Sequence, residues 1–250
     1  MVDPRLLVIV TFAFVTESAL GFGSSVIVAT LGALLGPLDA VMPAFITVNL
    51  ALSSWVALRA RAHIDRALLL REILPLAGLG LALGLAFARV ADRPVARAAF
   101  GLGVALLAGN ELRRILDPRA VNTAIPRARA GLSLFAGGVV HGVFNAGGPL
   151  IVYVVSRKNV DKATFRATLS ALWLVLNAAL IARWLTDGTF TARTARDALW
   201  LAPALVLGTA LGSALFQRLP PRGFRITAAA VMGAAGLSLT ARTLVAMLGG

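Results

Sequence analysis

Two ionisable residues lie inside long apolar runs of this 250-residue sequence. Glu17 stands in the stretch TESALG and His141 in VHGVFN, and each comes four residues before a glycine-rich break. Burial favours the protonated form of a carboxylate, and histidine changes charge near neutral pH. Ionisable groups in apolar segments are therefore candidates for proton transfer. We predict that Glu17 and His141 form a proton-coupling pair. The alternatives are that each is hydrogen-bonded and structural, or that Glu17 reaches a polar interface.

Both breaks interrupt their apolar runs with small and polar residues. The first reads GFGSS over residues 21–25 and the second reads NAGGP over 145–149. The helix that follows such a break starts with N–H groups that lack intrahelical partners, and these groups can bind an anion. The predicted anion-binding residues are Gly21, Gly23, Ser24, Ser25, Asn145, Gly147 and Gly148. The alternative is that the glycines only kink the helices or allow close packing.

Three further polar residues in neighbouring apolar runs are candidates for lining the same pocket. They are Asn49, Ser53 and Asn177. Their amide and hydroxyl groups can donate hydrogen bonds to an anion. Hydrogen bonding between helices explains such residues equally well, and the sequence leaves both explanations open.

The elements that must position these residues are membrane helices. Hydrophobic residues make up 58% of the chain and charged residues only 14%, whereas about a quarter of the residues in a soluble domain are charged. The apolar runs lie at roughly 6–36, 40–58, 73–88, 95–112, 131–156, 167–185, 198–217 and 226–249. We therefore predict an all-α polytopic membrane protein that is surrounded by the lipid bilayer.

Composition also excludes several kinds of partner. The net charge of +13 comes from arginines in short loops, which orient membrane spans. No basic run alternates with aromatic residues, so we predict no nucleic-acid partner. Cysteine is absent, and no G-x-x-x-x-G-K loop for ATP occurs. We expect no cofactor and no metal site, and the sequence leaves open whether the chain forms a homodimer.

The two halves of the chain resemble each other. A shift of 124 positions brings GFGSSVIV (21–28) onto NAGGPLIV (145–152). After a four-residue insertion, PLAGLGLALGLA (75–86) matches PALVLGTALGSA (203–214). Membrane segments use few residue types, so chance matches are common, but a shared proline and two shared glycines in the same register rarely arise by chance. The paired motifs GLALG and GTALG are small-xxx-small patterns, which we predict to pack helices closely.

These matches predict an internal repeat. We expect two pseudo-symmetric repeats of about four helical segments each, over residues 1–116 and 131–250, joined by a linker loop over 117–130. The run 6–36 has 31 residues, whereas a spanning helix needs about 20. The first segment of each repeat is therefore predicted to be broken or re-entrant.

Two topologies fit this pattern. If all eight segments span the membrane, the repeats are parallel. If the segments 6–36 and 131–156 are re-entrant hairpins, the repeats are inverted. In that case 16 of the 24 lysines and arginines lie on one side of the membrane, whereas eight crossings place 14 of them on one side. The positive-inside rule favours the inverted arrangement. It puts the linker and the loop 59–72 in the cytoplasm and the C-terminus outside.

The two-repeat plan, with a glycine-rich break early in each half, resembles the TauE/SafE family of anion permeases, also called sulfite exporters. The resemblance covers nearly the whole chain. The breaks of that family often read G-x-G-G-G, and here they read G-F-G-S-S and N-A-G-G-P. The resemblance implies secondary transport of a small sulfur-containing anion, such as sulfite, thiosulfate or an organosulfonate, across the cytoplasmic (inner) membrane of a bacterium.

Two alternatives to a transporter remain from the residues themselves. Ser24 and His141 are a conceivable dyad of an intramembrane serine hydrolase, although GFGSS is not a G-x-S-x-G nucleophile elbow. Labelling of Ser24 by a serine-reactive probe would favour that function. A passive anion channel is the other alternative, and uphill flux driven by a pH gradient distinguishes a transporter from it. We expect a transporter and not an enzyme.

Overall fold

The computed structural model describes residues 3–32, 35, 38–88, 93–117, 125–158, 160–218 and 220–248. Within these residues the regular secondary structure is helical, without strands. The helices are α1 (Pro4–Leu20), α2 (Ser24–Leu31), α3 (Leu38–Arg59), α4 (Leu74–Ala86), α5 (Pro94–Leu116), α6 (Arg127–Phe144), α7 (Gly148–Val155), α8 (Lys162–Thr186), α9 (Ala192–Arg218) and α10 (Pro221–Leu248). A 3-10 turn, Arg61–His63, and a π-helical stretch, Leu68–Ile73, come between α3 and α4.

Six of the described helices are long and apolar enough to cross a membrane. They are Ala40–Arg59, Leu68–Ala86, Pro94–Leu116, Lys162–Thr186, Ala192–Arg218 and Ala229–Leu248. The prediction of an all-α polytopic integral membrane protein is confirmed. Residues 118–124 of the predicted linker lie outside the described residues.

Both predicted helix breaks are present. Helix α1 ends at Leu20 and α2 begins at Ser24, while α6 ends at Phe144 and α7 begins at Gly148. The second pair of bounds lies 124 positions after the first, which is the shift that aligns the two halves of the sequence. The repeat itself stays a prediction.

Each short helix packs back along the helix before it. Gly32, the residue after α2, lies against the side chain of Leu6 near the start of α1. Gly137 of α6 lies against Leu150 and Ile151 of α7. Both broken segments are therefore helical hairpins, a geometry that favours the re-entrant alternative over a straight crossing.

The chain divides into two compact units. Unit 1 comprises Met1–Leu69 and Asp161–Leu219 and contains α1, α2, α3, α8 and α9. Unit 2 comprises Leu70–Val160 and Pro220–Gly250 and contains α4 to α7 and α10. Each unit takes helices from both predicted repeats, so the units and the repeats divide the chain differently. The boundaries of the repeats stay predictions.

The glycines of the paired motifs pack helices within each unit. In unit 2, a Cβ added at Gly80 or Gly84 of α4 would overlap backbone atoms of α6. In unit 1, a Cβ added at Gly208 or Gly212 of α9 would overlap backbone atoms of α1. The predicted packing role is confirmed, because only a residue without a side chain lets two helix backbones approach so closely.

A cysteine-accessibility experiment tests the predicted orientation. Because the chain has no cysteine, one cysteine can be added at a time and labelled in intact cells. Ala120→Cys in the linker should resist a membrane-impermeant maleimide added from outside, whereas Leu248→Cys at the end of α10 should react. Labelling of both positions from the cytoplasmic side alone would contradict inverted repeats and indicate eight crossings.

Candidate functional site

The first break contains a turn that requires glycine. Gly21 has φ 83° and Gly23 has φ 103°, both in the left-handed region. The N–H of Gly21 donates to the carbonyl of Glu17 at 2.6 Å, which closes the C-terminal end of α1. Side chains with a Cβ rarely adopt this backbone conformation. The glycines at this break therefore have a conformational cause.

Helix α8 packs against the turn and fixes it. The indole N–H of Trp173 donates to the carbonyl oxygen of Gly21 at 2.8 Å. A Cβ added at Gly21 would lie 3.1 Å from the Cα of Arg166. The rings of Phe22 and Phe165 meet edge to face, with their centroids 6.4 Å apart. The break is thus a well-packed part of unit 1.

A buried carboxylate lies beside this turn. Oε2 of Glu17, in the last turn of α1, accepts hydrogen bonds from the Ser24 hydroxyl and from Nδ2 of Asn49, the latter at 2.7 Å. Nδ2 of Asn49 also donates to the Ser24 hydroxyl oxygen at 3.1 Å. Three helices, α1, α2 and α3, therefore contribute to one hydrogen-bonded group. The residue that begins α2 is in direct contact with the ionisable residue.

The hydrogen bonds continue to α8. Oδ1 of Asn49 accepts from Nδ2 of Asn177 at 2.7 Å and, more weakly, from the Ser53 hydroxyl at 3.4 Å. We call Glu17, Ser24, Asn49, Ser53 and Asn177 the polar network. None of the five is more than 6% exposed. From Asn177 through Asn49, the donors point toward the carboxylate, so Glu17 is the final acceptor.

The polar network presents Glu17 with neutral donors. Among the described residues, no Lys, Arg or His nitrogen forms an ion pair with this carboxylate. A buried charge without a counter-ion is stabilised less than a paired one. A serine hydroxyl either donates or accepts, so Ser24 can serve both the carboxylate and the protonated acid. This arrangement suits a site that gains and loses a proton.

The second break has comparable features in unit 2. His141 in the last turn of α6 is 2% exposed, and its carbonyl accepts from the N–H of Asn145 at 2.9 Å. Asn145 has φ 55° and closes α6 as Gly21 closes α1. Pro149 lies in the first turn of α7, as predicted, where its missing N–H removes no intrahelical bond. A Cβ added at Gly147 would overlap the α6 backbone.

The structure brings five of the twelve predicted site residues together in the polar network. Gly21 and Gly23 form the adjacent turn, and Ser25 is half-buried in the first turn of α2. The four that belong to unit 2 are His141, Asn145, Gly147 and Gly148. The pairing of Glu17 with His141 stays a prediction, as does the role of each residue in binding an anion.

Two residues of α8 that contact the first break were missed by the sequence analysis. They are Trp173 and Arg166, which lie four and eleven positions before Asn177. These spacings put all three residues on one face of the helix. The helical spacing from Asn177 is therefore the signal that could have identified them.

Comparison with known proteins supplies a family and a curated relative. The family described as Sulfite exporter TauE/SafE matches residues 6–239. A protein of Comamonas testosteroni described as "Probable inner membrane transporter protein TsaS" is 31% identical over 119 residues, which cover 46% of this chain and 50% of that protein. The chain thus matches about half the length of this relative. No solved structure matches the chain.

Proposed function

This chain belongs to the sulfite exporter TauE/SafE family, and we propose that it is a secondary transporter that carries a small sulfur-containing anion together with a proton. The family supports the transport of such an anion. The observation that carries the proton coupling is the contact of a buried carboxylate, Glu17, with Ser24, the residue that begins α2. The relative is described as an inner membrane transporter, which supports the inner membrane as the location of this chain.

The anion is proposed to bind at the N-terminal end of α2. The first N–H groups of a helix have no intrahelical acceptor and carry the positive end of the helix dipole. Ser24 and Ser25 begin this helix and add hydroxyl donors, and Gly23 before them leaves space beside the backbone. The start of α7 at Gly148 is proposed to offer the same kind of site in unit 2.

Ser24 connects the proposed anion site with Glu17. When Glu17 is charged, the Ser24 hydroxyl donates to its carboxylate, and an arriving anion meets a second negative charge. Like charges at short range in a medium of low dielectric constant repel each other strongly. A proton on Glu17 removes this repulsion and releases the Ser24 hydroxyl to donate to the anion. Proton and anion therefore bind cooperatively, which corresponds to symport.

His141 is proposed to play the corresponding part beside the second break. It precedes Asn145 by four residues, as Glu17 precedes Gly21, and both ionisable side chains are buried. Histidine changes charge near neutral pH, so it can hold a proton at another stage of the transport cycle. The Glu17–His141 pair remains our hypothesis for the coupling.

Uptake into proteoliposomes tests the proposed function. Labelled thiosulfate and methanesulfonate are the clearest probes, because neither takes up a proton near neutral pH. An acidic exterior should drive methanesulfonate to a higher concentration inside than outside, since proton and anion enter together. Equilibration without accumulation would indicate a passive channel, accumulation under the opposite gradient would contradict symport, and no flux of either anion or of sulfite would contradict transport.

A further inference from the structure

An arginine lies against the first break on the side that faces α9. Arg166, in the second turn of α8, is half-buried. Its Nη2 donates weakly to the hydroxyl oxygens of Ser18 and Ser213, each at 3.5 Å, and these two oxygens are 3.1 Å apart. The guanidinium carbon lies 4.7 Å from the centre of the Phe216 ring. Its surroundings are therefore two hydroxyls and an aromatic face.

Arg166 has no negatively charged partner among the described residues, although its side chain is partly removed from water. In the part of the chain that the structure describes, no carboxylate forms an ion pair with it, and its buried Nε–H has no acceptor. By contrast, Arg157 pairs with Glu111 at 2.9 Å. A guanidinium cannot become neutral in a protein, and a charge that is partly removed from water is stabilised by a partner of opposite sign.

A second cation lies next to Arg166. Nζ of Lys162, one turn earlier in α8, is 4.7 Å from the centre of the same Phe216 ring. Like charges four positions apart destabilise a helix. Two cations on one aromatic ring, without a carboxylate paired to Arg166, make this end of unit 1 favourable for an anion.

We propose that Arg166, together with Ser213, binds a compact oxyanion beside the first break. The guanidinium offers parallel N–H donors that match two oxygens of a sulfonate, sulfite or phosphate group. The Ser213 hydroxyl can turn to donate to the remaining oxygen, whereas the Ser18 hydroxyl donates to the carbonyl oxygen of Thr209 at 3.2 Å and holds Ser213 in place. This second anion position rests on the proposed function, in which it receives the anion on its way to or from α2.

The Arg166 position is distinct from the polar network. Ser18 contacts Thr209 and Ser213 of α9, whereas its neighbour Glu17 contacts Asn49 of α3. The last turn of α1 therefore presents an ionisable acceptor to one helix and a hydroxyl donor to another. An anion at Arg166 and a proton at Glu17 occupy different sides of α1.

Thermal unfolding of the purified full chain in dodecyl maltoside tests this site. Methanesulfonate is titrated against sodium chloride at equal ionic strength, and phosphatidylglycerol is titrated separately to represent a lipid phosphate. Arg166→Gln should raise the apparent Kd for the anion by about 10- to 100-fold, since it removes charge-assisted hydrogen bonds. Arg166→Lys keeps the charge but not the planar guanidinium group, so its Kd should lie between those of the wild type and Arg166→Gln.

The matched control lies at the other end of the same helix. Arg183 pairs with Asp187 at 2.8 Å, and Arg183→Gln should leave the Kd unchanged. Ser213→Ala removes one hydroxyl without altering a charge and should raise the Kd by about 2- to 10-fold. If Arg166→Gln does not fold, Ser213→Ala decides, and an unchanged Kd in that variant overturns the site.

The outcomes separate the two anion sources and the two proposals. Loss of methanesulfonate binding in Arg166→Gln supports a site for the free anion, and loss of stabilisation by phosphatidylglycerol alone supports a site for a lipid phosphate. If methanesulfonate and phosphatidylglycerol stabilise Arg166→Gln as much as the wild type, or if Arg183→Gln loses as much stabilisation as Arg166→Gln, the site is overturned while the proposed function stands. A wild-type chain that no anion stabilises contradicts the proposed function and this site together.

Discussion

Glu17→Gln is expected to abolish accumulation of the anion along a proton gradient while leaving anion binding and exchange in place. The amide has the size of the carboxyl group, its oxygen can still accept from Asn49, and its NH2 can donate to the Ser24 hydroxyl oxygen as a protonated acid does. The amide cannot take up or release a proton in the working pH range. The polar network would then surround a group that no longer responds to the proton gradient.

The accumulation ratio gives this prediction its magnitude. One proton carried with each singly charged anion makes transport electroneutral, and a gradient of one pH unit then supports a concentration ratio of about tenfold. Wild-type protein should approach this ratio for labelled methanesulfonate, and Glu17→Gln should stay near equal concentrations. Counterflow exchange without a gradient measures binding and movement alone, and it should persist in the variant.

Glu111→Gln is the matched control for the loss of a buried carboxyl group. Glu111 is 5% exposed and has an ionic partner in Arg157, so its replacement should lower stability but leave the accumulation ratio of the folded protein intact. His141→Gln should share part of the Glu17 defect if the two groups titrate as a pair. A well-folded Glu17→Gln, His141→Gln double variant that still accumulates methanesulfonate rules out the coupling scheme.

Local chemistry made the helix breaks predictable. Gly21 and Gly23 take left-handed φ values that glycine alone adopts freely, so their presence in an apolar run identified the turn. Pro149 indicated the first turn of a helix for an equally local reason. A structural feature that depends only on neighbouring residues can be predicted from the sequence of that segment alone.

The contacts of the polar network were not predictable in the same way. Glu17, Asn49 and Asn177 were each recognised as polar residues in apolar runs, but nothing in one sequence shows that they touch. Asn49 and Asn177 are 128 positions apart, and their hydrogen bond depends on how α3 and α8 lie against each other. That arrangement follows from the packing of whole helices and not from local residue preferences.

Gly147 shows how the presence of a glycine at one position can have more than one explanation. The glycine-rich pattern of the second break predicts Gly147 as an anion-binding residue. In the structure a Cβ at Gly147 would overlap the carbonyl oxygen of Gly137. Gly147→Leu would therefore disturb the α6–α7 packing whether or not an anion binds. A substitution of Ser24 is the better test of anion binding.

Gly80→Leu is expected to prevent α4 from packing on α6 and to remove the folded protein. The Cβ alone would overlap the carbonyl oxygen of Phe135, which is backbone and cannot rotate away. Overpacking in a tight interface costs about 1–3 kcal/mol and more when the backbone must move, and small residues are what allow this approach in a membrane. The measurement is the yield of monodisperse protein in detergent and its thermal unfolding.

Gly78→Leu supplies the control. Gly78 lies two positions before Gly80 on the same helix, and no described atom lies within 4 Å of a Cβ added there. It should be neutral within about 0.5 kcal/mol, apart from a small gain in helix propensity. Helix α5 repeats the comparison: Gly101 meets the backbone of Gly236, whereas Gly103 faces open space. If the close helix contacts exist, Gly80→Leu and Gly101→Leu lose folded protein while Gly78→Leu and Gly103→Leu keep it. If Gly80→Leu is as stable as Gly78→Leu, and Gly101→Leu as stable as Gly103→Leu, α4 and α5 do not approach their neighbouring helices as closely as described.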